Sequence, residues 1–326
     1  MGRDAEPVLT GDFQVIDSLG LDVAPSRRLM VSPLRYPGGK GSLYPVLKSL
    51  VRANGLTGGT YVEPYAGGAG AAVALLVTGE VGRIVINDLD PALYAFWRSV
   101  VKEPDDFASR TRNAKLTIAE WKKQKRVYSE ADRKDYLRLG FATFYLNRTN
   151  HSGVLNGGPI GGLDQSGAYK IDARFNKTAL LERLRLIGMH SSSIVVLRQD
   201  GRSVIEKYAE RPEVLLYADP PYFEKAGSLY MNSFQEKDHR QLADCLNASK
   251  RGRWLLTYDD VPDVSSLYAA RRREEFSLAY SAHRVVKATE MMVFGDGLLV
   301  PWLADKSKSA RSARVVHKVT TRPKRQ

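Results

Sequence analysis

The sequence predicts an α/β fold: a parallel sheet flanked by helices, with a basic module inserted into it. Three observations predict this. Residues 60–101 run strand, glycine loop, helix, strand, acid, helix, the alternation expected of parallel strands joined by helical crossovers. The same rhythm returns between Leu180 and Tyr258. Residues 102–185, between the two, break it.

Taken in order, residues 1–32 are mixed in charge and without periodicity, and read as an N-terminal arm. Leu43–Ala53 reads as a helix. Thr60–Pro64 reads as a strand ending at a turn, followed by Gly67-Gly68-Ala69-Gly70 and a small-residue helix over Ala71–Thr78. Arg83–Ile86 is a short buried strand with Asn87-Asp88 at its end, and Pro91–Val101 a helix whose proline suits the first turn. Residues 102–147 look helical and basic. His151–Tyr169, rich in Gly, Asn and Ser, reads as a loop or twisted hairpin. Leu180–Ile187 and Ser203–Tyr208 read as helices; Ser193–Leu197, Val214–Ala218 and Trp254–Tyr258 read as strands. Two antiparallel strands are expected within Glu275–Tyr280 and Glu290–Phe294. The implied organisation is a core of residues 33–101 and 186–303, an inserted module over 102–185 and a basic, disordered tail over 304–326.

The 326 residues carry 49 bases and 36 acids, a net charge of +13, and 43% are hydrophobic. That composition excludes a wholly disordered chain. No run of 18 apolar residues is present, so no membrane-spanning helix is expected. A single cysteine, Cys245, rules out an internal disulfide and a cysteine-rich zinc site. The five histidines are scattered without a metal-binding spacing, and no metal is expected. No secretory signal is visible, so a soluble cytoplasmic protein is expected. Eight bases and no acid lie between Lys306 and Gln326. Ten more, with four acids and with Trp121, Tyr128 and Tyr136 interleaved, lie between Arg110 and Arg138. Charge runs are ordinarily solvated faces. The excess of one sign favours a nucleic-acid partner, to which it would add salt-dependent affinity.

Two constellations carry chemistry. Tyr65-Ala66-Gly67-Gly68-Ala69-Gly70 follows the first strand, and glycines at a strand-to-helix turn let the backbone approach a ligand closely. Asp88 lies 21 residues beyond Gly67, where a carboxylate can accept ribose hydroxyls. This fits a dinucleotide enzyme, a nucleoside-cofactor enzyme or a tight turn. The second is Asp219-Pro220-Pro221-Tyr222, directly after the apolar strand. The prolines halt the strand and fix the backbone. They present a carboxylate, a carbonyl and an aromatic face, which together suit an exocyclic amine on a flat heterocycle. An amine bonded to Asp219 and to the Pro220 carbonyl has its lone pair turned out of conjugation and can attack an electrophilic carbon.

With these motifs the sequence resembles the Dam-type DNA adenine N6-methyltransferases, over roughly Pro33 to Pro301 and in the family's order. The residues that carry the resemblance are Arg35-Tyr36-Pro37-Gly38-Gly39-Lys40, Glu63-Pro64-Tyr65-Ala66-Gly67-Gly68 (Tyr65 in place of Phe), Asn87-Asp88, Phe144-Tyr145-Leu146-Asn147-Arg148, Asp219-Pro220-Pro221-Tyr222, and Tyr230-Met231-Asn232-Ser233-Phe234 through Asp238-His239. The resemblance implies a Rossmann-like S-adenosylmethionine-dependent methyltransferase core with an inserted helical and hairpin target-recognition module. It implies S-adenosylmethionine held by Tyr36, Lys40, Tyr65, Gly67, Gly68, Asp88, Asp200 and Asp219, with S-adenosylhomocysteine as product. Asp200 would meet the cofactor's adenine; a strand-end cap is the alternative for it. The target adenine would be flipped from double-stranded DNA, with Asp219 and Pro220 orienting its amine and Tyr222 stacking on it. Target recognition is expected between Asn147 and Asn176, with Asn147, Arg148, Asn150, Ser152 and Asn156 as DNA-binding residues, since Arg and Asn read base edges bidentately. The GATC enzymes carry an Arg shortly after the hairpin glycine. Here Asn156 stands in that region, so the resemblance does not extend to GATC specificity. A monomer is the default, located with DNA in the cytoplasm.

Rival readings are separable. N4-cytosine enzymes usually carry Ser where Asp219 stands. RNA adenine methylation shares the amine chemistry. An NAD-dependent oxidoreductase would explain the glycine loop and Asp88 but leave Asp219–Tyr222 unused. A DNA binder without catalysis would have no need of Lys40, Asp88, Asp219 and Tyr222 together.

Overall fold

The computed structural model describes residues 31–35, 40–132, 134–222, 234–282 and 284–303, with the backbone alone described at Lys40, 277–282 and 284–289. A 3₁₀ turn over Lys40–Leu43 leads into α1 (Tyr44–Ala53). There follow β1 (Thr60–Glu63), α2 (Gly70–Val77), β2 (Arg83–Asn87) and α3 (Pro91–Lys102). The next four helices are α4 (Pro104–Asn113), α5 (Ile118–Glu130), α6 (Tyr136–Thr149) and α7 (Lys177–Met189). The remainder is β3 (Ile194–Leu197), α8 (Gly201–Tyr208), β4 (Val214–Ala218), α9 (Glu236–Ala248), β5 (Trp254–Asp259), α10 (Pro262–Leu267), β6 (Arg272–Ala282) and β7 (Arg284–Phe294).

Seven strands form one sheet in the order β3-β2-β1-β4-β5-β7-β6. The first five pair in parallel, while β7 pairs antiparallel with β5 and with β6. β4 and β5 are buried along their whole length, which is why they read as continuous apolar runs. Successive side chains still part to opposite faces. Tyr61, Ile84, Ile86, Leu215 and Leu255 join one core, and Val62, Val85, Leu216, Trp254 and Leu256 the other. The strand order reverses between β1 and β4. Ligands of open α/β sheets bind at the carboxyl ends of strands at such a reversal.

The long crossover from β2 to β3 contains α3 to α7, so residues 102–185 are a topological insertion. They are not a separate globule. Phe96 and Trp97 of α3 pack with Phe107 of α4, Phe141, Phe144 and Tyr145 of α6, and Phe175, in a cluster continuous with the core on that face. Local signals set the helix starts. Asp90, Thr117, Asp135 and Asn176 each accept a backbone N–H at the N-terminus of α3, α5, α6 and α7.

Two expectations change. His151–Tyr169 forms a short 3₁₀ turn and successive tight turns, with a single isolated bridge between Asn150 and Pro159, in place of a twisted hairpin. Its six glycines and single β-branched pair Val154 and Ile160 give strands little to pack. β6 and β7 are longer than expected, because polar residues such as Arg273, Glu275 and Lys287 interrupt their apolar pattern without interrupting the ladder. The expected arm over 1–30 and the tail over 304–326 lie outside the described residues. Among the described residues no helix is long and apolar enough to cross a membrane.

Candidate active site at the carboxyl edge of the sheet

The ends of β1, β2 and β3 are fastened by Asn87, which is fully buried. Its amide donates to the carbonyls of Pro64 (2.8 Å) and Gln199 (2.9 Å), and its Oδ1 accepts the N–H of Gln199 at 2.9 Å. Beyond that staple the chain turns sharply. Gly67 has φ +48°, and Ala69, without glycine's freedom, is held at φ +44°, a left-handed conformation that costs an L-residue roughly 1–2 kcal/mol. Its neighbours hold it there. The Gly67 N–H donates to Asp88 Oδ2 at 2.9 Å, Trp97 Nε1 donates to the Gly67 carbonyl at 2.9 Å, and Ser32 Oγ donates to the Gly68 carbonyl at 2.6 Å. Gly41 lies against Gly70 across this turn, since a Cβ on Gly70 would stand 3.6 Å from the Gly41 Cα. The segment that follows the Arg35–Lys40 motif therefore meets the glycine turn.

Asp88 is half-buried. It also accepts the Asp90 N–H at 3.0 Å, and burial pushes its carboxyl up to about 7 against those stabilising N–H bonds. Leu89 beside it is 50% exposed, an apolar face at the sheet edge. Tyr65 lies over the first turn of α8 at Gly201 and meets Phe234 edge-on at 5.8 Å. Its hydroxyl is buried and has no hydrogen-bond partner among the described residues, and burial holds its ionisation well above the usual phenol range. A buried hydroxyl without a partner is costly and marks where a ligand's polar group belongs. The glycine turn, the carboxylate, the apolar face and this hydroxyl together fit a nucleoside cofactor. Asp200 caps α8, accepting the Arg202 N–H at 2.8 Å and pairing with the Arg202 guanidinium, which holds its carboxyl below the usual range. The strand-end cap is thus the role seen for it. Tyr36 lies outside the described residues, and of Lys40 only the backbone is described.

Across the sheet reversal, Asp219 follows β4. Its Oδ1 accepts Thr257 Oγ1 at 2.8 Å and faces Tyr222 Oη at 3.3 Å. Tyr217 and Thr257 share a hydrogen bond of 2.7 Å behind it. The Tyr222 hydroxyl donates to the buried Glu290 Oε2 of β7 at 2.7 Å. The Tyr222 ring is buried against Tyr258, centroids 6.0 Å apart and planes 27° apart; a base stacking on it would use its other face. Tyr258 bonds His239 Nδ1 in turn, and burial lowers the imidazole's proton affinity. His239 is buried, and this contact makes it a structural anchor. Behind the site, Tyr61 Oη donates to Glu63 Oε1 at 2.9 Å, and burial pushes the Glu63 carboxyl up to about 8, with nearby Asp219 raising it further.

That Glu63 value carries a pH signature. The unfolded acid ionises near its ordinary value, the folded one near 8, so native stability falls as pH rises from about 4.5 to about 8 and levels off above. Glu63→Gln keeps the shape and the acceptor for Tyr61 without a titrating proton. Thermal melts of the variant and the unaltered chain are expected to agree near pH 5 and to separate by several degrees, the variant higher, near pH 8; equal gaps at both pH values would remove the burial argument.

The recognition residues expected from sequence divide. Asn147 is 2% exposed and Asn150 0%. Every polar atom of Asn147 is spent on Arg35 and Gly153; Asn150 accepts from Trp121 Nε1 and donates to the Val154 and Leu155 carbonyls. Arg148 is buried as well. Asn147 and Asn150 thus fasten the loop with their amides and do not present them to a base edge. Ser152 and Asn156 are exposed. A cleft of about 630 Å³ opens beside Ser152, lined also by Arg35, Asp164, Tyr169 and Arg174 among others, and Tyr169 is 70% exposed there. Sequence reasoning named Glu63 and Asn87 within motifs but gave them no role, and it missed Thr257 and Glu290. Each is a polar residue within or ending an apolar strand, which was the available sign.

The model of the D12 class N6 adenine-specific DNA methyltransferase family matches residues 36–291. No curated protein matches the chain significantly. Solved structures that it resembles include a putative RNA methyltransferase of Pyrococcus horikoshii (10% identity, 86% of this chain and 96% of that one, TM-score 0.37). TrmN of Thermus thermophilus is similar at 12% identity (77% of this chain, 48% of that one, TM-score 0.36). The rRNA methyltransferase aviRa of Streptomyces viridochromogenes is similar at 13% (85% and 89%, TM-score 0.34).

Proposed function

Because this chain belongs to the D12 class N6 adenine-specific DNA methyltransferase family, we propose that it transfers a methyl group from S-adenosylmethionine to the N6 amine of an adenine flipped out of double-stranded DNA at a specific site. The observation that carries the proposal is the pairing of two turns at the strand-order reversal: the glycine turn after β1 and Asp219-Pro220-Pro221-Tyr222 after β4.

Tyr36, Lys40, Tyr65, Gly67, Gly68 and Asp88 would hold the cofactor, with Asp88 taking the ribose hydroxyls and Asp200 and Asp219 at its margin. When bound, the cofactor supplies an electrophilic methyl group on a sulfonium. The protein's work is positioning and exclusion of water. Asp219 and the Pro220 carbonyl accept the two hydrogens of the adenine amine and turn its lone pair outward. Thr257 aims the Asp219 carboxylate, and Glu290 fixes the Tyr222 ring on which the base stacks. The proton displaced from the amine leaves along its hydrogen bond to Asp219. Specificity falls to the exposed rim of the recognition segment, Ser152 and Asn156 with Tyr169 and Arg174 of the cleft. The exposed bases of α5, Lys122, Lys123 and Arg126, would add salt-dependent phosphate contacts. The enzyme acts as a monomer, in the cytoplasm where its DNA lies.

Transfer of a labelled methyl group to DNA and to RNA of identical base sequence tests the substrate. Label in double-stranded DNA is expected; label confined to RNA would overturn the assignment and leave the amine chemistry standing.

A further inference from the structure

The antiparallel pairing of β7 with β5 sets Glu290 opposite Asp259. Glu290 is fully buried, and a buried carboxylate is costly unless it accepts hydrogen bonds. Tyr222 supplies one, with its Oη 2.7 Å from Glu290 Oε2. The same Oη lies 3.3 Å from Asp219 Oδ1. A phenol has a single hydrogen to give, and here it goes to Glu290, the nearer of the two carboxylates. Asp219 Oδ1 accepts Thr257 Oγ1 at 2.8 Å, and Thr257 is itself bonded to Tyr217 at 2.7 Å. Thr257 is fully buried within β5, so that donor is fixed. The Tyr222 ring is packed against Tyr258. Its hydroxyl oxygen therefore stays between the two carboxylates, and only the O–H bond is left to turn.

We propose that Glu290 is a positioning residue that draws the Tyr222 hydrogen away from Asp219 and so keeps the Asp219 carboxylate a strong acceptor for the target amine. The proposal rests on the reading of Asp219 as the amine's acceptor given above. Without the Glu290 carboxylate, the hydroxyl turns onto Asp219 Oδ1. That oxygen then carries two internal donors, Thr257 and Tyr222. Each donor to a carboxylate stabilises its charge and lowers its affinity for a further proton. That affinity is what orients the adenine amine and receives its displaced proton. Holding the hydrogen is a different task from holding the ring. If Glu290 only clamped the ring, its loss would harm the site with or without the hydroxyl. If it diverts the hydrogen, its loss harms the site only while the hydroxyl is there.

The test is single-turnover methyl transfer from labelled S-adenosylmethionine to unmethylated genomic DNA, at saturating cofactor and DNA. Four full-length chains are compared: unaltered, Glu290→Met, Tyr222→Phe and the double variant. Glu290→Met keeps the side chain's length without its carboxylate, and is expected to slow transfer roughly tenfold. Adding Tyr222→Phe to it is expected to raise the rate again, to that of Tyr222→Phe alone. Glu290→Gln retains an acceptor oxygen for the hydroxyl and is expected to keep more of the rate than Glu290→Met. Should Glu290→Met not fold, Glu290→Asp takes its place. It keeps the charge but withdraws the acceptor by one methylene, and its smaller loss is again expected to vanish once Tyr222→Phe is added. A Glu290→Met or Glu290→Asp chain that is not slowed, or a double variant no faster than its Glu290 parent, overturns the proposal. Absence of transfer by the unaltered chain would instead overturn the function on which it rests.

Discussion

Asp219→Ala is expected to lower methyl transfer by at least about 10²–10³-fold, with duplex binding retained and cofactor affinity changed far less than turnover. The carboxylate accepts Thr257 and lies beside the Tyr222 hydroxyl and Glu63, so it is aimed before any substrate arrives. Removing it takes away one of two acceptors that turn the amine lone pair outward, and that interaction matters most as the new bond forms. Asp219→Asn is a sharper form of the test. The amide keeps the shape and one acceptor oxygen but loses the charge, and it is expected to fall between the alanine variant and the unaltered chain. Thr257→Val, which removes only the aiming bond, is expected to lose less again. Single-turnover transfer to unmethylated duplex DNA measures all three. An alanine variant with full activity would contradict the mechanism.

The largest expected effect on stability is far from the chemistry. Gly140 lies in α6 where it crosses α3, and a Cβ there would stand 2.6 Å from the Ala95 carbonyl oxygen and 2.9 Å from the Phe96 Cα. Both contacts are backbone, so neither can swing aside. Gly140→Val should therefore force the two helices apart, at a cost of about 3 kcal/mol. That corresponds to a fall in Tm of roughly 4–5 °C. A melt within a degree of the unaltered chain would show that the helices do not meet this closely.

Much of this architecture was legible in the residues. The apolar runs Val214–Ala218 and Trp254–Tyr258 could be little else than strands buried on both faces, and Asp-Pro-Pro-Tyr after such a run had to sit at the sheet's edge. What the sequence hid was direction. Asn147 and Asn150 look like base readers because asparagine at a glycine-rich loop usually faces water. Here the loop folds back on the helix end and uses both amides to satisfy backbone groups that its irregular path leaves unpaired. Glu290 was hidden for the reason opposite. An acid in Ala288-Thr289-Glu290-Met291-Met292 reads as a solvent-facing strand position, and only the pairing of β7 beside β5 brings it onto Tyr222. The hairpin expectation failed because turn-rich composition fixes where a chain bends without fixing whether the intervening residues pair.

The identity of the methylated nucleoside tests the central claim most directly. The purified chain would be incubated with labelled S-adenosylmethionine and unmethylated genomic DNA, and the product digested and resolved. N6-methyladenine, confined to one sequence context and missing from the Asp219→Ala reaction, is the expected result. N4-methylcytosine, or label in DNA that persists in the Asp219→Ala reaction, would contradict it.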